Sequence, residues 1–129
     1  MKIQLGAVWH FSLAVTDPEK SAQFWTKNFD LQEMLRSDEA IALTNGAIII
    51  GFFKGIPHPE TIDHLSFHLD SIRALREALA TLKNNAVDLE DPGDEIGPTA
   101  PGSPHMGLWF HDPDGYRWEL SVQNAARER

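Results

Sequence analysis

The sequence predicts an α+β protein in which two βαβββ repeats form curved mixed sheets around a cup. Three observations carry this. Trp9-His10-Phe11-Ser12-Leu13-Ala14-Val15 and Asp63-His64-Leu65-Ser66-Phe67-His68-Leu69 align on their first histidines as His-apolar-Ser-apolar-X-apolar. In each, the histidine and serine share one strand face and the apolar residues take the other. Each stretch also runs into a helix start, so the chain reads as an internal repeat. Third, Asp112-Pro113-Asp114-Gly115 specifies a sharp reversal, with Pro113 at the second turn position and Gly115 at the fourth. It feeds a last strand in which Trp118, Leu120 and Val122 alternate with Arg117, Glu119 and Ser121.

The elements follow in order. After Trp9 to Val15, Asp17 offers a helix N-cap with Pro18 at the first helical position and Glu19 in the first turn. The helix is expected to reach about Asn28, burying Ala22, Trp25 and Phe29. Leu31 to Arg36 and Ala40 to Thr44 read as strands. Asn45-Gly46 is the strongest hairpin signal in the chain, and it leads into a strand over Ala47 to Phe53. Lys54 to Thr61, with Gly55, Pro57 and Pro59, reads as a linker.

The second repeat opens with Ile62 to Leu69. Its helix is capped by Asp70 or Ser71, carries Ile72, Leu75, Ala78, Leu79 and Leu82 on one stripe, and ends at Asn84-Asn85. Val87 to Glu90 starts a strand. Residues 91–104 hold four prolines and three glycines; so long a connection in so short a chain is expected to be functional, here a flap over the site. Met106 to His111 and Tyr116 to Val122 close the repeat. The polar tail from Gln123 to Arg129 is expected to fray. The organisation expected is one domain over 1–129, with repeat 1 at about 7–54, a linker at about 55–61 and repeat 2 at about 62–123.

Composition narrows the function. At 129 residues, 42% of them hydrophobic, the chain can bury a core. Eleven basic against 19 acidic residues give a formal charge of −8, which speaks against nucleic acid or an anionic membrane as partner. Without cysteine there is no disulfide, thiolate metal site or thiol nucleophile. The longest apolar run, Ala47 to Phe53, is far short of the roughly 20 residues a membrane span needs, and the N-terminus lacks a signal-peptide core. A cytoplasmic protein is expected.

If the helices pack on the convex side of each sheet, the opposite face lines the cup. Strand counting puts His10, Ser12, Ile48, Ile50, Phe52, His64, Ser66, His68, Arg117, Glu119 and Ser121 there. Two histidines and one carboxylate from three strands suit a borderline divalent ion such as iron, manganese, nickel, cobalt or zinc. Three protein ligands leave positions open for a substrate with two oxygens, whose hydroxyl or enediolate the ion would stabilise as a Lewis acid.

Three motifs together resemble the vicinal oxygen chelate superfamily of glyoxalases, extradiol dioxygenases and bleomycin-resistance proteins. They are His10-Phe-Ser-Leu-Ala-Val-Thr-Asp-Pro with Ser21 and Phe24-Trp25 after it, His64-Leu-Ser-Phe-His-Leu, and Phe110-His-Asp-Pro-Asp-Gly-Tyr-Arg-Trp-Glu119-Leu. The resemblance covers about 7–123. It implies His10, His64 and Glu119 as ligands of one divalent metal per site, and a homodimer acting on a small-molecule substrate.

Departures from the family's patterns sharpen the expectation. Glyoxalase I carries a fourth ligand, a glutamate that moves the proton, on the last strand of its first half; counting from Gly46 as Glu119 counts from Gly115, that position here is Ile50. Fosfomycin enzymes need cations for a phosphonate, yet no Lys or Arg lies between Asn84 and Tyr116. Extradiol enzymes carry a further histidine and a tyrosine near the metal. Position nominates His68 and His105, although Ala14 at the matching place in the first half favours a structural role for His68. Tyr116 has the wrong parity. Arg117 shares the Glu119 face and is a candidate to orient that carboxylate or a substrate anion.

The acidic group Asp88, Glu90, Asp91, Asp94 and Glu95 reads as a solvated edge. The function expected is a metal-dependent lyase or isomerase of the glyoxalase type, with extradiol ring cleavage as the alternative. A metal-free drug-binding protein, stacking its ligand on Trp109, Phe52 and Phe110, is the second alternative.

Overall fold

The computed structural model describes residues 1–124; the rest of the expected tail lies outside them. The chain forms two compact units, Met1–Pro57 and His58–Arg129.

In the first unit, β1 (His10–Val15) leads to α1 (Pro18–Asn28), then β2 (Gln32–Arg36), β3 (Ala40–Thr44) and β4 (Ile49–Lys54), and the sheet order is β1-β4-β3-β2. β1 and β4 are parallel and the other pairs antiparallel. Asp17 caps α1, its Oδ1 accepting from the Glu19 and Lys20 amides, and Pro18 costs nothing at a position with no intrahelical donor to give. The helix buries Ser21, Ala22 and Trp25. Trp25 stacks on Phe29 and on Phe52, with ring centroids 4.9 and 6.4 Å away. Leu13, Val15, Ile41, Leu43 and Ile50 complete this core.

The second unit repeats the plan. β5 (Leu65–His68) and α2 (Ile72–Asn84) are followed by β6 (Asp88–Leu89), β7 (Gly97–Pro98), β8 (Met106–His111) and β9 (Arg117–Val122). The sheet order is β5-β9-β8-β6, with β7 also on β8 and β5 parallel to β9. Ser71, not Asp70, caps α2 through the Ala74 amide. Leu75 and Leu82 are fully buried, as are Leu108, Phe110, Trp118, Leu120 and Val122 of β8 and β9. Phe67 lies flat on Trp118 at 5.6 Å. Two mixed sheets with one long helix each, in βαβββ order apart from the two-residue β7 added to the second, make the α+β architecture that the repeat predicts. No helix among the described residues is long and apolar enough to cross a membrane.

The strand faces require one correction. β4 does not begin at Ala47, because Asn45 to Ile48 form the loop: Asn45 Oδ1 accepts from the Ala47 and Ile48 amides, and Thr44 Oγ1 donates to the Ile48 carbonyl. Pairing then places Phe11 beside Ile50 and Leu13 beside Phe52, while Ser12 lies beside Gly51. Ile50 and Phe52 therefore belong to the core face, each 1% exposed. In the second unit Ser66 pairs with Glu119. The first-repeat counterpart of Glu119 is thus Gly51, not Ile50.

Residues 91–104 are tied to β8, and their Thr99 reaches the Gly107 position beside Glu119. β7 pairs Gly97 with Gly107 and Pro98 with Met106, and the Thr99 amide donates to the His105 carbonyl at 2.9 Å. Glu95, expected at a solvated edge, is buried; it accepts from the Gly93 amide and pairs with Lys83 at 3.1 Å.

Candidate functional site

Between the core face and the opposite face of the second sheet, β9 divides its side chains by parity. Trp118, Leu120 and Val122 pack inward, and Arg117, Glu119 and Ser121 share the other face with Trp109 and Gly107 of β8. Ser66 and His68 of β5 join them by register, and Ser66 Oγ lies 2.9 Å from Ser121 Oγ.

Glu119 is the anomaly of this face. It is only 6% exposed, yet no described residue donates a hydrogen bond to its carboxylate. Its stem is packed while its oxygens are not sealed off, so the carboxylate is available to a cation on this face. Its space is kept open by Gly107: a Cβ there would stand 3.3 Å from Glu119 Oε2, 3.2 Å from Thr99 Cγ2 and 2.9 Å from the Leu120 carbonyl oxygen. The backbone carbonyl cannot yield as a side chain would. Gly107→Ala is expected to cost about 1–3 kcal/mol of stability in urea denaturation and to displace Glu119.

His64 immediately precedes β5 on this same side. Its Nδ1 lies 2.6 Å from Asp63 Oδ2, so Nδ1 is the nitrogen that donates to this carboxylate, and no described residue bonds Nε2. The His64 hydrogen bond is also what holds the Asp63 carboxyl below the usual range. The ring meets Trp109 edge-on, with centroids 4.7 Å apart. A carboxylate on one imidazole nitrogen with the other left free is how metal-binding histidines are commonly oriented.

Arg117 is already engaged. Its Nε and Nη2 reach the two Glu90 oxygens at 2.7 and 2.9 Å, and its guanidinium lies 3.9 Å over the Trp109 ring. His111 adds a third contact to Glu90 at 3.1 Å. This corrects the expectations that Arg117 orients Glu119 and that Glu90 sits on a solvated edge. The Arg117 hydrogen bond holds the Glu90 carboxyl below its ordinary range. A depressed carboxyl stabilises the fold above its unfolded-state value and ceases to do so as pH falls through the folded one. Glu90→Gln is therefore expected to cost about 1 kcal/mol at pH 7, and progressively less below about pH 5, in denaturation curves across pH.

The remaining candidates separate. His10 opens β1 in the first unit, exposed, with Nε2 3.4 Å from Ser12 Oγ. His68 is exposed and lies 3.7 Å from Asp70. His105 accepts the Asn124 amide on Nδ1 at 3.0 Å. Tyr116 is buried and accepts the His58 amide, off the site face as its parity predicts. Of the three stacking rings, Phe52 and Phe110 are core residues; only Trp109 stands on the open face. His64, just before β5, and Glu119 of β9 thus lie on the same side of the second sheet, and no group of three metal-capable side chains forms among the described residues.

Sequence reading missed Asp112, whose Oδ1 accepts the Asp114 and Tyr116 amides and whose Oδ2 accepts Trp118 Nε1, all at 3.0 Å. The Asp-Pro-Asp-Gly turn was its available signal.

Comparison with known proteins identifies the fold family. The profile of the Glyoxalase/Bleomycin resistance protein/Dioxygenase superfamily matches residues 7–120, and the chain belongs to that superfamily. No curated protein matches the sequence. Among solved structures, the fosfomycin resistance protein FosX from Listeria monocytogenes is similar at TM-score 0.74 and 19% identity, covering 92% of this chain and 94% of its own. Lactoylglutathione lyase from Agrobacterium tumefaciens matches at 0.74 and 15%, covering 93% and 96%. A glyoxylase/bleomycin resistance protein/dioxygenase domain from Frankia sp. EAN1pec matches at 0.73 and 22%, covering 93% and 99%. At these identities the likeness is one of fold.

Proposed function

We propose that the protein is a divalent-metal-dependent enzyme that holds a small substrate through two adjacent oxygens, with His10, His64 and Glu119 as the metal ligands. The observation that supports this best is Glu119, buried without a hydrogen-bond donor beside a glycine that leaves its carboxylate room. His64, with Nδ1 held by Asp63 and Nε2 free, fits the same role. His10 is carried over from the resemblance of its motif, which membership of the superfamily supports. When bound, iron, manganese, nickel, cobalt or zinc would supply Lewis-acid stabilisation of negative charge on the substrate oxygens. The residues of this chain contribute orientation: Asp63 accepts from His64 Nδ1, and Trp109, held under Arg117, walls that imidazole.

Gly51 bears on the type of chemistry. A Cβ at Gly51 would lie 2.5 Å from Ser12 Oγ, so the first repeat has no fourth carboxylate to match Glu119. That weakens a literal glyoxalase I assignment and supports a three-ligand site. Glyoxalase-like lyase or isomerase chemistry remains our first reading, and extradiol ring cleavage, which also uses three ligands, is the second. Phosphonate chemistry of the fosfomycin kind is disfavoured because Arg117 is committed to Glu90.

The experiment loads the protein with each metal in turn and offers hemithioacetals and epimerisable 2-oxo acids under nitrogen, and catechols in an oxygen electrode. Oxygen-independent turnover supports the first reading, and oxygen uptake with catechols supports the second. Neither, with any metal, would sink the enzyme reading and favour a drug-binding protein.

A further inference from the structure

On the His10 face of the first unit lies a cavity of about 190 Å³, lined by His10, Ser12, Leu35, Ala42, Gly51 and Phe53 among others. Its floor follows from strand register. Ser12 pairs with Gly51, Gly51 with Ala42, and Ala42 with Leu35, so one row across four strands carries three minimal side chains before the leucine. The row beside it, Ala14-Phe53-Ala40, raises a phenyl wall. In the second repeat the equivalent row is Ser66, Glu119, Trp109. Where that repeat fills its face with a carboxylate and an indole, the first leaves a notch. The two repeats have diverged at the same register positions.

The chemistry of the notch is one-sided. No Lys, Arg, Asp or Glu lines it. Its polar side chains are His10, Ser12 and Ser37, with His10 Nε2 and Ser12 Oγ 3.4 Å apart, while Leu35, Ala42 and Phe53 contribute apolar surface. At about 190 Å³ and open to solvent on one side, it has room for a six-membered ring or a branched chain of similar size. An anionic group would meet no counter-charge there.

We propose that this notch receives an uncharged apolar substituent, aryl or branched aliphatic, attached next to the two chelating oxygens of the substrate. The inference rests on the metal site proposed above and adds the substrate class: a compound polar at the end held near His10 and apolar at the other. Ser12, Gly51 and Ala42 set the size of that group.

The test uses zinc-loaded protein and two hydroxamates with the same pair of adjacent oxygens, acetohydroxamate and benzohydroxamate. Binding is measured by titration calorimetry and corrected for each compound's affinity for aqueous zinc. The wild type is expected to prefer benzohydroxamate by roughly tenfold or more, since the phenyl ring buries several carbons that the methyl does not have. Ala42→Phe, which fills the notch, is expected to bring the ratio close to one. Leu35→Ala removes one wall at an exposed position and should reduce the preference without disturbing the core. Equal binding of both hydroxamates to the wild type, or a preference that survives in both variants, would overturn the notch and leave the metal site standing. Absence of binding by either hydroxamate would overturn both together.

Discussion

Glu119→Gln is expected to lower metal affinity by about a hundredfold or more, a loss at the upper end of what even supporting residues around metal sites produce, while leaving the metal-free fold at least as stable as the wild type. The two halves of this prediction have one cause. The Glu119 side chain is packed among its neighbours but no described residue donates to its carboxylate, so the metal-free fold does not depend on that charge, whereas a bound cation would. Glutamine keeps the shape and removes the charge. Competition against a chromophoric chelator reads the affinity, and urea denaturation of the chelated protein reads the stability. A variant that binds metal as the wild type does would show that Glu119 is not a ligand. One that loses stability in the metal-free state would show that its carboxylate has a structural partner instead.

Asp112→Ala is expected to destabilise the protein by about 3 kcal/mol, since it strips the acceptor from three buried or half-buried donors at once. The Trp118 indole N–H would be left in a fully buried position, and the Tyr116 and Asp114 amides would lose the contact that closes the turn before β9. Burial pushes the Asp112 carboxyl above its usual range, with the Trp118 and backbone hydrogen bonds acting against it. Its charge is therefore held at some expense for the sake of those contacts. Glu119 lies two residues along the strand that this hub anchors. Urea midpoints of Asp112→Ala and Asp112→Asn give the comparison. Asparagine retains one acceptor and should recover part of the loss; an alanine variant as stable as the wild type would contradict the hub.

Much of the fold was legible because its signals are local. Asp17-Pro18 and Ser71 mark helix starts through side-chain caps, and Asp112-Pro113-Asp114-Gly115 marks its turn, with Gly115 at φ +87°. The repeat was legible because His10 and His64 head matching alternations. The face of β4 was not. Parity there depends on how many residues the loop after Asn45-Gly46 consumes, which the Asn45 and Thr44 side chains decide. One residue of slip carried Ile50 and Phe52 to the wrong face and hid Gly51, the residue that stands beside Ser12 and Ala42 on the open face.

Long-range partners were likewise beyond reach. Nothing local tells Glu90 that it will meet Arg117, or Glu95 that it will meet Lys83. A charged residue between strands reads as solvated until pairing brings its counter-charge. The same blindness applied to Glu119, whose position was expected but whose isolation among donors only the packed β8 and β9 reveal.

The central claim is that one divalent ion is held by three side chains, and the most direct test is metal content. Wild type, His10→Ala, His64→Ala and Glu119→Gln are purified gently, reconstituted with each candidate metal, dialysed and analysed for elements. The account predicts close to one ion per chain in the wild type and little in any of the three variants. A wild type that retains no metal after reconstitution, or variants that retain as much as it does, would contradict it.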